Sequence, residues 1–184
     1  MNRKTDTIRL LILHESQDEA EQLINLLRNS GHATRATQIT SEEEFIDQLK
    51  QHTWDLLLAR PEADGILADI AISHIRRMEK DIPVILLADD NNSDFLTEGL
   101  KSGASDVVPM EEEQRFILVI KRELKNLAER RGRRKAEIAL REAEKRCDLL
   151  LDSSRDAITY VIDGMHIYAN QSYIEMFGYD DPDD

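Results

Sequence analysis

The 184-residue chain has a single cysteine, Cys147, so no disulfide can close within it. That usage suits a reducing cytoplasm. Long apolar runs are missing as well. The first, Ile8 to Leu13, is short and interrupted by Arg9, and nothing approaches the roughly 20 residues of a membrane span. No membrane insertion is expected, and the start shows no secretory signal pattern. Positive charge is scarce: 24 Lys and Arg stand against 37 Asp and Glu, for a net charge of −13. Such acidity argues against nucleic acid or an anionic membrane as the main partner. The imbalance is uneven, −9 over residues 1–110, +3 over 111–150 and −7 over 151–184, and marks out a middle segment.

Apolar residues make up 41% of the chain, enough for a core. Strand and helix signals alternate from the start. IRLLIL (8–13), DLLLA (55–59) and PVILLA (83–88) are nearly continuous apolar runs, the pattern of strands covered on both faces. ATRATQI (33–39) alternates and reads as a strand nearer an edge, and SDVVPM (105–110) as a short fifth strand. Helices are expected over 18–29, from Ser41 with a capping box to Glu44, over 66–78, and after 93 with Phe95, Leu96 and Leu100 facing the core. A long helix begins near Glu111 or Glu112. This alternation predicts an α/β fold, a doubly wound five-stranded parallel sheet in flavodoxin-like order. Its site would lie at the carboxyl ends of the strands.

LILHESQDEAEQL (11–23), WDLLLA (54–59), DIPVILLADD (81–90) and LKSGASDVV (100–108) resemble the receiver domains of bacterial response regulators, over about residues 7–131. In that family two acids after the first strand hold a divalent metal. An aspartate ending the third strand takes the phosphoryl group, a Thr or Ser ends the fourth, and a lysine follows the fifth. Metal and lysine neutralise charge while the aspartate attacks. The resemblance places these positions on His14 and Glu15, Arg60, Ala88 and Met110. Only Glu15 keeps the required chemistry, since a guanidinium stays protonated at any ordinary pH. The expectation is a receiver that cannot be phosphorylated, with no catalytic residue, no metal and no cofactor. Arg60 is expected either to reach Glu15 in place of the metal or to turn into solvent. His14 is not read as a metal ligand, because adjacent strand residues point to opposite faces. A displaced acid is the alternative, but Asp55 lies at the far end of the sheet, Glu62 and Asp64 read as solvated loop acids, and Asp89 and Asp90, which follow the fourth strand, offer acceptors where a phosphate needs donors.

Beyond the receiver-like stretch, strong helix formers continue, with Gly132 marking a bend. Ala136, Leu140, Ala143, Cys147 and Leu150 fall at heptad spacing and predict a two-chain coiled coil. The cluster Arg130, Arg131, Arg133, Arg134, Lys135 lacks interleaved aromatics and reads as a solvated helix face. From about Asp148, LLLDSSRDAITYVIDGMHIYANQSYIEMFGYDD resembles the opening of a PAS domain, with a hairpin around Asp163-Gly164. The rest of such a domain is absent, so the chain is expected to be a piece of a longer protein. The domains are thus 1–131 receiver-like, 132–152 linker helix, and 153–184 the start of a PAS domain.

A degenerate receiver, a continuous helix and then PAS resembles the N-terminal part of FimX-type proteins. That resemblance implies degenerate GGDEF and EAL domains downstream, a cyclic-di-GMP role in type IV pili and twitching motility, and a place at the cell pole. Neither a GGDEF nor an EAL string occurs here. The expected action is contact: a homodimer, or docking of protein partners in a signalling or pilus-regulating complex. The candidate contact residues are Phe95, Leu100, Ile117 and Leu124 on the 93–127 face and Leu140, Cys147 and Leu150 on the helix. A helical scaffold capped by an inert receiver is the third reading.

Overall fold

The run IRLLIL buries every side chain but Arg9, as a central parallel strand must when helices cover both its faces. The computed structural model describes residues 7–63, 65–89 and 93–178. By density of contacts the chain divides between Arg130 and Arg131.

In the first unit the elements follow as β1 (Ile8–Leu13), α1 (Gln17–Asn29), β2 (Thr34–Ile39), α2 (Glu42–Gln51), β3 (Leu56–Ala59), β4 (Glu62–Ala63), β5 (Ile66–Leu67), α3 (Ala68–Arg77), β6 (Val84–Ala88), α4 (Ser93–Ser102), β7 (Asp106–Pro109) and the start of α5 (Glu113–Asp152). The main sheet is parallel, in the order β2-β1-β3-β6-β7. This is the flavodoxin-like winding expected from the sequence. Two cores lie on its two faces. One holds Leu11, Leu13, Phe45, Leu49, Trp54 and Ile72 beneath α2 and α3. The other holds Leu10, Ile12, Leu27, Leu58, Phe116 and Ile120 beneath α1 and α5.

Local chemistry sets the boundaries. Ser16 caps α1 by accepting from the Glu19 N–H. Ser41 caps α2 likewise, but Glu44 reaches past the cap to the N–H and hydroxyl of Thr40, at 3.0 and 3.1 Å. The third helix begins at Ala68 rather than Ile66, because Ile66 and Leu67 pair with Ala63 and Glu62 in a two-residue hairpin. Gly65 turns it with φ +87°, and a Cβ there would lie 2.2 Å from Thr40 O.

α5 runs unbroken through Gly132, where the sequence suggested a bend. One glycine costs a helix only about 1 kcal/mol, and strong helix formers flank it. In the second unit β8 (Thr159–Ile162) and β9 (Met165–Ala169) form an antiparallel hairpin. Asp163 and Gly164 both have positive φ, as a type I′ turn requires. Asn170, fully buried, caps α6 (Gln171–Phe177) by accepting from the Tyr173 N–H, and also accepts from the Ile158 N–H. Its amide donates to the carbonyls of Leu151 and Asp156. One side chain thus ties helix end, hairpin and α6 together.

Candidate functional site

Four strands of the main sheet end side by side, and the residues that follow them form the site. Main-chain bonds hold the ends in register: the Arg60 N–H donates to Leu13 O at 3.0 Å, and the Met110 N–H to Ala88 O at 2.9 Å. His14, Arg60, Ala88 and Met110 are thereby brought together at the carboxyl ends of the strands.

His14 is buried. Its carbonyl accepts from Gln38 Nε2 at 2.8 Å, and its Nδ1 accepts from the Ser16 N–H at 3.0 Å. An accepting Nδ1 places the neutral ring's proton on Nε2. Nε2 lies 3.0 Å from Glu19 Oε2, but out of line for a hydrogen bond. Burial pushes the His14 pKa below its ordinary value; Glu19 opposes this, and Arg60 adds to it.

Arg60 occupies the centre. Its Nη2 pairs with Asp89 Oδ1, its Nη1 lies 3.6 Å from Glu19 Oε2, and the same Nη1 faces Met110 Sδ at 3.6 Å. The side chain is only 23% exposed. The expected pair with Glu15 does not form, and neither does the outward alternative. Glu15 is exposed, because it follows His14 on the chain and points away from it. Glu19, in the first turn of α1, takes that role instead. The N-cap signal at Ser16 fixes where α1 starts, and so could have placed Glu19 toward the site.

A guanidinium thus stands at the carboxyl end of β3, where the resemblance would place the nucleophile. Ala88 offers no hydroxyl and Met110 no charge. Of the displaced acids, Asp89 is paired with Arg60, and Asp55 lies at the opposite end of β3, where it accepts from the Arg9 N–H. Asp64 and Asp90 fall outside the described residues, as does the side chain of Glu62. Among the described residues no cluster of three His, Cys, Asp or Glu could hold a metal. No helix among them is long and apolar enough to cross a membrane.

No family model and no curated protein matches the chain. Solved structures do. A putative response regulator from Chloroflexus aurantiacus J-10-fl is 24% identical, with TM-score 0.58 over 65% of this chain and 99% of its own. The Francisella response regulator 1452 receiver domain is 16% identical, with TM-score 0.57 over 65% and 98%. A yeast Spc42 trimeric coiled coil fused to a second protein is 18% identical, with TM-score 0.60 over 80% and 96%. The first unit has the receiver fold.

On that receiver fold the contact candidates separate. Phe95, Ile117 and Leu124 are partly buried against the two cores. Leu100, expected to face the core, is 51% exposed. Gly99 takes the inward position of α4 instead, where a Cβ would meet Val107 Cγ2 at 2.8 Å and Leu86 Cδ1 at 2.9 Å. One residue further on, the helix has turned about 100° away. Leu118, on α5 and missed from sequence, is 66% exposed. In the second unit Leu140, Cys147 and Leu150 are all exposed.

Proposed function

We propose that the chain is a receiver module that transmits signals by contact and is not phosphorylated. The observation that carries this reading is Arg60, whose guanidinium is engaged by Asp89, Glu19 and Met110 where a receiver needs an aspartate. A phosphoryl group would find a cation that cannot attack, no hydroxyl at Ala88 and no lysine at Met110. The module is not an enzyme and needs no cofactor. It acts in the cytoplasm as a homodimer or by docking protein partners, through Leu100 on the receiver and through Leu140, Cys147 and Leu150 on the helix.

The hairpin and α6 are the start of a PAS domain in this reading, supported by the Asp163-Gly164 turn and the capped helix that follows. The order of degenerate receiver, helix and PAS-like segment supports placement at the N-terminus of a FimX-type cyclic-di-GMP regulator of type IV pili and twitching motility, with a polar location. A second reading, a helical dimerisation scaffold capped by an inert receiver, draws on the exposed heptad stripe.

Incubation of the chain with Mg²⁺ and a small-molecule phosphodonor, followed by intact mass measurement, tests the main reading. No phosphoryl adduct is expected. An acyl phosphate mapped to Asp89, Glu15 or another carboxylate near Arg60 would overturn it in favour of a displaced acid.

A further inference from the structure

The amino-terminal end of the sheet carries a second polar site that the receiver reading does not use. Arg9 is the one exposed residue of β1, and the parallel register sets it beside Arg35 of β2. Register partners on adjacent strands project from the same face, so two guanidinium side chains are neighbours. Like charges at neighbouring strand positions cost stability. Among the described residues neither arginine forms an ion pair that would relieve this. Both line a cavity of about 260 Å³, together with Thr37, Gln48, His52 and Trp54. The described residues that line it include no carboxylate, although the chain carries a net charge of −13; the Asp55 carboxylate nearby accepts from the Arg9 main-chain N–H.

The walls are fixed. Arg9 Nη1 donates to Thr53 Oγ1 at 2.9 Å, which orients the guanidinium and leaves its other N–H groups for a ligand. Trp54 is 5% exposed, and its Nε1 donates to Gln48 O at 3.0 Å. The His52 N–H donates to the same carbonyl at 3.1 Å. This carbonyl at the end of α2, which would otherwise repel an anion, is therefore satisfied twice.

We propose that this cavity binds a small phosphate-bearing ligand. Two planar guanidinium forks match phosphate oxygens, and the Thr37 hydroxyl and Gln48 amide supply further donors. The volume lies just below the ~300–1,000 Å³ of drug-sized sites, which suits a phosphate carrying a small organic group. From Arg9 to Leu13 the strand advances about 13 Å at roughly 3.3 Å per residue, so a ligand here sits at the far end of the sheet from Arg60. The attraction is local and set against the field of an acidic chain, so it weakens with added salt.

Trp54 is the only tryptophan, and its emission therefore reads the cavity directly. The full chain is titrated with inorganic phosphate, and separately with acetate, at constant ionic strength. A saturable change with phosphate is expected. Arg35→Gln and Arg9→Gln should each weaken it by about tenfold, the scale of one charge-assisted contact. Arg77→Gln, on the exposed side of α3, should leave it unchanged. If Arg9→Gln unfolds the chain, Arg35→Gln on the edge strand still decides, because its side chain is exposed. No saturable response to phosphate, an undiminished response in Arg35→Gln, or equal binding of acetate would each overturn the proposal.

Discussion

Arg60 stands at the carboxyl end of β3 between two carboxylates. Glu19 and Asp89 both turn toward it, so an acid placed there would add to their charge and not offset it. Arg60→Asp would put three carboxylates around one point with no cation among them. The expected result is a loss of about 1–3 kcal/mol in stability, larger than for Arg60→Met, measured by urea unfolding. Equal or greater stability of Arg60→Asp would show that the guanidinium contributes nothing there. The histidines give a second test. His14 and His32 both have pKa values pushed down, chiefly by burial. Below the unfolded value of about 6.5 the unfolded chain binds more protons than the folded one. Their contribution is therefore complete above that pH and is lost as pH falls through the window below it. Unfolding midpoints from pH 8 to pH 5 should show the drop, and His14→Asn, which keeps an acceptor for the Ser16 N–H, should reduce it. A flat profile would contradict the burial assigned to these rings.

Elements were more legible than side-chain partners. Continuous apolar runs located β1, β3 and β6, since burial on both faces leaves no other pattern, and Gly31 and Gly103, both at positive φ, marked helix ends. What escaped was set by tertiary geometry. The hairpin at Ile66–Leu67 delayed α3, Gly99 displaced Leu100 from the core, and Glu19 replaced Glu15 beside Arg60. The first is a local hairpin and the other two depend on close approach between segments distant in sequence; periodicity is blind to both. The stripe on α5 was legible as a heptad, and its residues are exposed. Leu140→Lys or Leu150→Lys, placed at a seam between two chains, should convert a dimer to monomer in sedimentation equilibrium while leaving helicity intact. An unchanged mass would remove the stripe from the contact surface.

At the scale of the molecule, a parallel sheet with two full cores carries an ion-paired arginine at its carboxyl end. Fold and site chemistry can vary separately, because the cores depend on apolar burial and the chemistry on a handful of residues beyond the strand ends. Leu100 on one unit and Leu140 and Leu150 on the other are exposed, and the proposed reading assigns contact to them. The most direct test of this account is a backbone amide NMR titration of the chain with Mg²⁺ and beryllium fluoride, a phosphoryl mimic. Resonances of Glu15, Arg60, Ala88 and Met110 should not move beyond noise. Saturable, magnesium-dependent shifts at those residues would contradict the account and show that a phosphoacceptor site survives.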